Sequence, residues 1–147
     1  MKTKLPDIPA EAERYSDLIG LIGLMRLAMF EAFGDRKFWD ERYFDLFLSM
    51  LAKQLRGSVS TMEEMTAAVR GVSHSTKMRM IEEARGAGLI QAVARSQIAL
   101  DEPLDDASAR KVFFLTDKAM ASMTGKLSEV DQDVHAFTQR HGANGGL

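Results

Sequence analysis

Between Thr61 and Gly88 the chain carries two helical stretches separated by a short turn, Gly71-Val72-Ser73, and few folds hold helices so close. Ser60-x-x-Glu63 and Thr61-x-x-Glu64 each have the form of a capping box. In that motif a hydroxyl and a carboxylate reciprocally satisfy backbone N–H groups left free at a helix start. Either one opens a short helix over Met62–Val69. Gly71 is free to take a positive φ, and Ser73 stands where the next helix needs a cap. That helix spans about His74–Ala87, and Gly88 closes it. Helix, tight glycine turn, helix is the organisation of a helix-turn-helix.

The flanks make this a mainly α chain of 147 residues, the size of one domain. Upstream, Pro6 and Pro9 mark an extended arm. From Ala10 a helix is expected in which Leu18, Leu21, Ile22, Met25 and Met29 recur at helical spacing, with Gly34 as the residue that ends it. A second helix runs from about Trp39 to Leu55, burying Tyr43, Phe44, Phe47, Leu48 and Leu51, and Gly57 stops it. Downstream, Leu89–Arg95 and Arg110–Leu115 read as two strands of a hairpin around a long polar loop. Thr116 caps a final helix whose Met120, Met123, Leu127, Val130, Val134 and Phe137 form a heptad seam. The seam is too short for an independent coiled coil, so the N-terminal apolar helix is its expected partner. Met50, Met62, Met65, Met80, Met120 and Met123 belong to the core, where flexible thioethers fill irregular gaps.

Two helices, a helix-turn-helix, a hairpin wing and a long helix resemble the winged helix-turn-helix of MarR-like transcriptional regulators. The resemblance rests on Gly71-Val72-Ser73-His74-Ser75-Thr76, Arg79, Ile81, Gly88-Leu89-Ile90 and Val112-Phe113-Phe114-Leu115-Thr116-Asp117-Lys118. It covers about residues 39–137. Departures from the family pattern are Lys77, where an apolar core residue is usual, and Ala119, where glycine is common. The Asp106-Ala107-Ser108 run also lacks the arginine of the family's Asp-x-Arg. The resemblance implies one domain over 1–147, with dimerisation helices at 10–38 and 117–141 and a DNA-binding lobe at 39–116. It implies a homodimer on a pseudo-palindromic operator in double-stranded DNA, with a small aromatic ligand between the dimer helices and the winged lobe. A winged core of about 80 residues has too little interior for both apolar stripes, so two subunits exchanging terminal helices are expected to cover them.

Charge is distributed in keeping with one dedicated anionic partner site. The whole chain has a net charge of −2, yet residues 70–97 carry five basic residues against two acidic, a net of +3. The next nine residues hold Asp101, Glu102, Asp105 and Asp106, so the wing tip is expected to stay off a phosphate backbone. Helical geometry turns Lys77, Met80, Ile81 and Ala84 to the core and Ser75, Thr76, Arg79 and Glu82 outward. The candidate DNA-binding residues are therefore His74, Ser75, Thr76 and Arg79, with Arg95 and Arg110 flanking the wing. Arginine reads guanine through its fork, and hydroxyls suit phosphate. Arg95 and Arg110 can equally pair with the wing's own carboxylates. Glu82 and Glu83 oppose phosphate, so the second half of this helix is expected to rise out of the groove.

Cysteine is absent, which excludes disulfides and thiolate metal sites. His74, His135 and His141 are too scattered for a zinc site, and neither a nucleophile elbow nor a glycine-rich phosphate loop occurs. No enzyme activity, cofactor or metal is expected. Leu18–Phe33 is the most apolar stretch, but Arg26 and Glu31 interrupt it short of the about 20 residues of a membrane span. A cytoplasmic location without membrane contact is expected. The competing reading, from a different class, is a winged helix used for protein–protein assembly, which the acidic wing and near-neutral charge favour.

Overall fold

The computed structural model describes residues 2–100 and 110–142. The first helix, α1, spans Ala12–Phe30. It ends four residues before Gly34, which does not take the positive φ of a helix terminator; among the described residues Gly57, Gly71, Gly88 and Gly142 do. Aromatic packing accounts for the early stop. Phe33 leaves the helix to lie edge-on against Phe47, with centroids 5.0 Å apart, and Phe38 joins them from a 3-10 turn over Arg36–Phe38. The Trp39 indole N–H donates to the Phe33 carbonyl at 2.7 Å and holds the bend.

Helix α2, Glu41–Leu55, starts two residues later than the apolar pattern implied, because the Asp40 carboxylate caps it by accepting from Arg42 N–H. Helix α3 is Met62–Ala68, and of the two possible capping boxes the chain uses Thr61 with Glu64. Ser60 is committed elsewhere, exchanging both backbone hydrogen bonds with Phe113. Helix α4 is His74–Gly86. Strands β1, Ile90–Ala94, and β2, Lys111–Leu115, pair antiparallel with Ile90 opposite Leu115 and Ala94 opposite Lys111. Arg95, expected to end the first strand, lies instead in a 3-10 turn over Arg95–Gln97. The acidic run Asp101–Asp106 lies outside the described residues. Helix α5, Asp117–His141, is capped by Thr116 as expected.

A helix-turn-helix followed by a hairpin and a long helix is a winged helix, mainly α. Leu46, Met50, Met65, Ile81, Leu115 and Met123 are its largest fully buried side chains and come from α2, α3, α4, β2 and α5. Of the methionines expected in the core, Met50, Met65, Met80 and Met123 are buried, and Met62 and Met120 are partly buried against it.

The terminal helices correct the sequence reading. They pack antiparallel on each other within one chain, burying Leu21 and Met29 against Met123, Val130 and Phe137. Within one chain this pairing covers most of the two stripes but leaves Ile22 and Val134 55% and 38% exposed. Also open is a different face of α1, on which Ile19, Leu24 and Leu27 are 71%, 54% and 53% exposed. Among the described residues no helix is long and apolar enough to cross a membrane.

Candidate nucleic-acid interface

The turn between α3 and α4 sets how the second helix is presented. Gly71 takes φ +81°, a conformation that costs any other residue strain, and lets the chain reverse within a few residues. Ser73 then adopts extended backbone, and its Oγ accepts from Thr76 N–H at 3.3 Å. The same Oγ lies 3.1 Å from both Ser75 Oγ and Thr76 Oγ1, so three hydroxyls cluster at the amino end of α4. That end carries partial positive charge from its backbone N–H groups, as an anion site requires.

Met80, Ile81 and Ala84 anchor α4 in the core, while His74, Ser75, Arg79 and Glu82 are exposed and Thr76 is half-buried. Lys77 turns back, as its core-side position implied: its Nζ donates to the Thr66 carbonyl at 2.8 Å, near the carboxyl end of α3. The four candidates on α4 thus lie within its first two turns, with the Ser75 and Thr76 hydroxyls meeting at Ser73. Arg95 and Arg110 form a separate pair at the loop end of the hairpin, where Arg95 N–H donates to the Arg110 carbonyl at 2.7 Å. The Arg95 guanidinium also donates to the Ile98 carbonyl at 3.3 Å. Among the described residues no hydrogen bond or ion pair joins these two arginines to the α4 group.

The acids of α4 are tied to the chain's own partners. Glu82 accepts from Arg85 at 2.8 Å. Glu83 accepts from the Tyr43 hydroxyl at 2.8 Å and holds Arg79 Nε at 4.0 Å from its other oxygen. Burial first, and then the adjoining Glu83 carboxylate, push the Tyr43 phenol well above its ordinary ionisation range, so it remains a donor. Sequence reasoning missed this link, since Tyr43 read simply as an apolar-face residue of α2. It also passed over Arg70, which stands exposed in the turn beside the hydroxyl cluster. The signal for Arg70 was its place within the turn of the basic segment.

Among the described residues no three His, Asp or Glu side chains converge as metal ligands would. An apolar cavity of about 280 Å³ lies between α1, α2 and α5, lined by Ile22, Met25, Met29, Phe44, Leu48 and Leu127. Arg26, whose guanidinium donates to Glu41 at 2.6 Å, is the charged residue at this cavity.

No protein-family model matches the chain. No curated protein matches it significantly. Its structure is similar to the crystal structure of a MarR-like protein of Bacillus cereus assigned as a transcription regulator. The identity is 15%, covering 87% of this chain and 78% of that one, with a TM-score of 0.38. So loose a likeness leaves the assignment of the interface to the chain's own geometry.

Proposed function

We propose that the protein is a sequence-specific DNA-binding transcriptional regulator acting as a homodimer. The observation that carries this reading is the amino half of α4, which presents His74, Ser75, Thr76 and Arg79 outward while both of its acids are held by other side chains. Entering a major groove by that end, the helix meets phosphate with its hydroxyls and backbone N–H groups, and a guanine edge with Arg79. His74 and Arg70 add phosphate contacts at the same end. Arg95 and Arg110 follow the backbone alongside.

The open face of α1 supports pairing of two copies through Ile19, Leu24 and Leu27, which would bring two α4 helices to successive grooves. The cavity between α1, α2 and α5 is the candidate position for a small aromatic effector. Its lining is apolar, and α2 connects it to the winged lobe. The regulator is non-catalytic in this reading and works in the cytoplasm.

Selection from a random-sequence duplex library with the purified protein is the test. Enrichment of a two-fold motif with half-sites about 10 base pairs apart is expected. No enrichment at low salt would contradict DNA recognition and leave assembly with another protein as the use of this winged helix.

A further inference from the structure

We infer that Tyr43 and Glu83 are positioning residues for Arg79, and that through it they govern how well α4 discriminates between DNA sequences. This rests on the DNA-binding reading above and adds to it two side chains outside the groove-facing set.

The three groups run from core to surface. Tyr43 is 4% exposed, its ring stacked on Phe47 at 5.8 Å and edge-on to Phe38 at 4.9 Å, so the phenol has nowhere to swing. Its hydroxyl donates to one oxygen of Glu83 at 2.8 Å and fixes a carboxylate that would otherwise sample several rotamers at the helix edge. The second carboxylate oxygen faces Arg79 Nε at 4.0 Å, one helical turn away. Arg79 itself is 66% exposed and would be a freely moving arginine without that anchored charge.

Two consequences follow. A pre-placed guanidinium loses less rotamer freedom on meeting a base edge, which favours the matched sequence. The fixed carboxylate also competes with any single phosphate for Arg79, which penalises mismatched DNA where only phosphate is offered. Both effects raise the ratio of matched to unmatched affinity.

Tyr43→Phe removes the tether and keeps every charge and the ring packing. Glu83→Gln keeps an acceptor for the phenol and removes the charge. Each is tested with a duplex selected from the random library and with a shuffled duplex of the same composition, and each is repeated in an Arg79→Ala background. Both variants should lower the matched-to-shuffled affinity ratio by about threefold or more, and neither should change it once Arg79 is alanine. In the free protein, the Arg79 Nε–H resonance should move on Tyr43→Phe, a readout that general loss of packing elsewhere would not select. Unchanged ratios for Tyr43→Phe, equal losses with and without Arg79, or an unmoved Nε–H signal would each overturn the inference while leaving DNA binding intact. A wild-type protein that shows no preference between the two duplexes overturns the DNA-binding reading, and this inference with it.

Discussion

Arg79 and Arg70 are both exposed arginines near the amino end of α4, yet their surroundings assign them different work. Arg79 lies one turn into the helix, 4.0 Å from the Glu83 carboxylate, and in the proposed reading it meets a base edge. Arg79→Ala should therefore cost about 1–3 kcal/mol of specific binding and relax preference at one operator position. Arg70 lies in the turn, and in the same reading it meets the backbone of the duplex. Arg70→Ala should weaken all sequences alike and lower the salt dependence of binding by about one ion, measured as the slope of log affinity against log salt. Equal losses on all duplexes for Arg79→Ala would reduce it to a phosphate contact. Gly71 acts through backbone alone, because a Cβ there meets nothing within 4 Å. Its φ of +81° is the cost of any replacement, so Gly71→Ala should destabilise the fold by about 1–2 kcal/mol in chemical denaturation. A neutral result would mean that the turn relaxes without strain.

The elements were legible wherever their determinants are local. Thr61, Ser73 and Thr116 each cap the helix that follows by a hydrogen bond three residues on, and such pairs stand side by side in the sequence. The end of α1 was not legible, because it depends on Phe33 meeting Phe47 across a bend. For the same reason the Ser60 bridge to Phe113 and the Tyr43–Glu83 hydrogen bond left no pattern to read. The pairing of the terminal helices was half legible: both apolar stripes were evident, but not that one chain covers most of each and leaves Ile22 and Val134 open. Val130 is 6% exposed inside that pairing, so Val130→Glu should cost several kcal/mol of fold stability and does not report on the dimer. At the other end of the pair, Asp17 accepts from His141 at 2.8 Å and Arg140 at 3.1 Å. These contacts, His141 first, hold its carboxyl below the usual value of 3.8. A depressed carboxyl stabilises the fold above its unfolded value and loses that contribution as pH falls through its folded value. Wild-type protein should melt above Asp17→Asn at pH 6, and the gap should close below pH 3.8. A gap that persists in acid would place the effect elsewhere than on this carboxyl.

For the whole molecule, the net charge of −2 makes nonspecific attraction to DNA weak, so the proposed recognition would depend on the local +3 of residues 70–97 and on doubling it by dimerisation. In the proposed reading the face of α1 with Ile19, Leu24 and Leu27 serves that step. Leu27→Glu should convert a sedimenting dimer to monomer at micromolar concentration, keep the helical circular dichroism, and weaken operator binding far more than either half-site contact does alone. A wild-type monomer at that concentration would contradict the dimer. The acidic run Asp101–Asp106, expected from its charge to stay off a phosphate backbone, lies outside the described residues and carries no part of this reading. The central claim is that the amino end of α4 is the surface that meets DNA. An amide-resolved NMR titration of the uniformly labelled protein with a random-sequence duplex tests it without knowledge of the operator. Amides of Arg70 and of residues 73–79 should shift first and most, with Arg95 and Arg110 following and the middle of α5 unmoved. No shifts at low salt, or shifts confined to the α1 face, would contradict it.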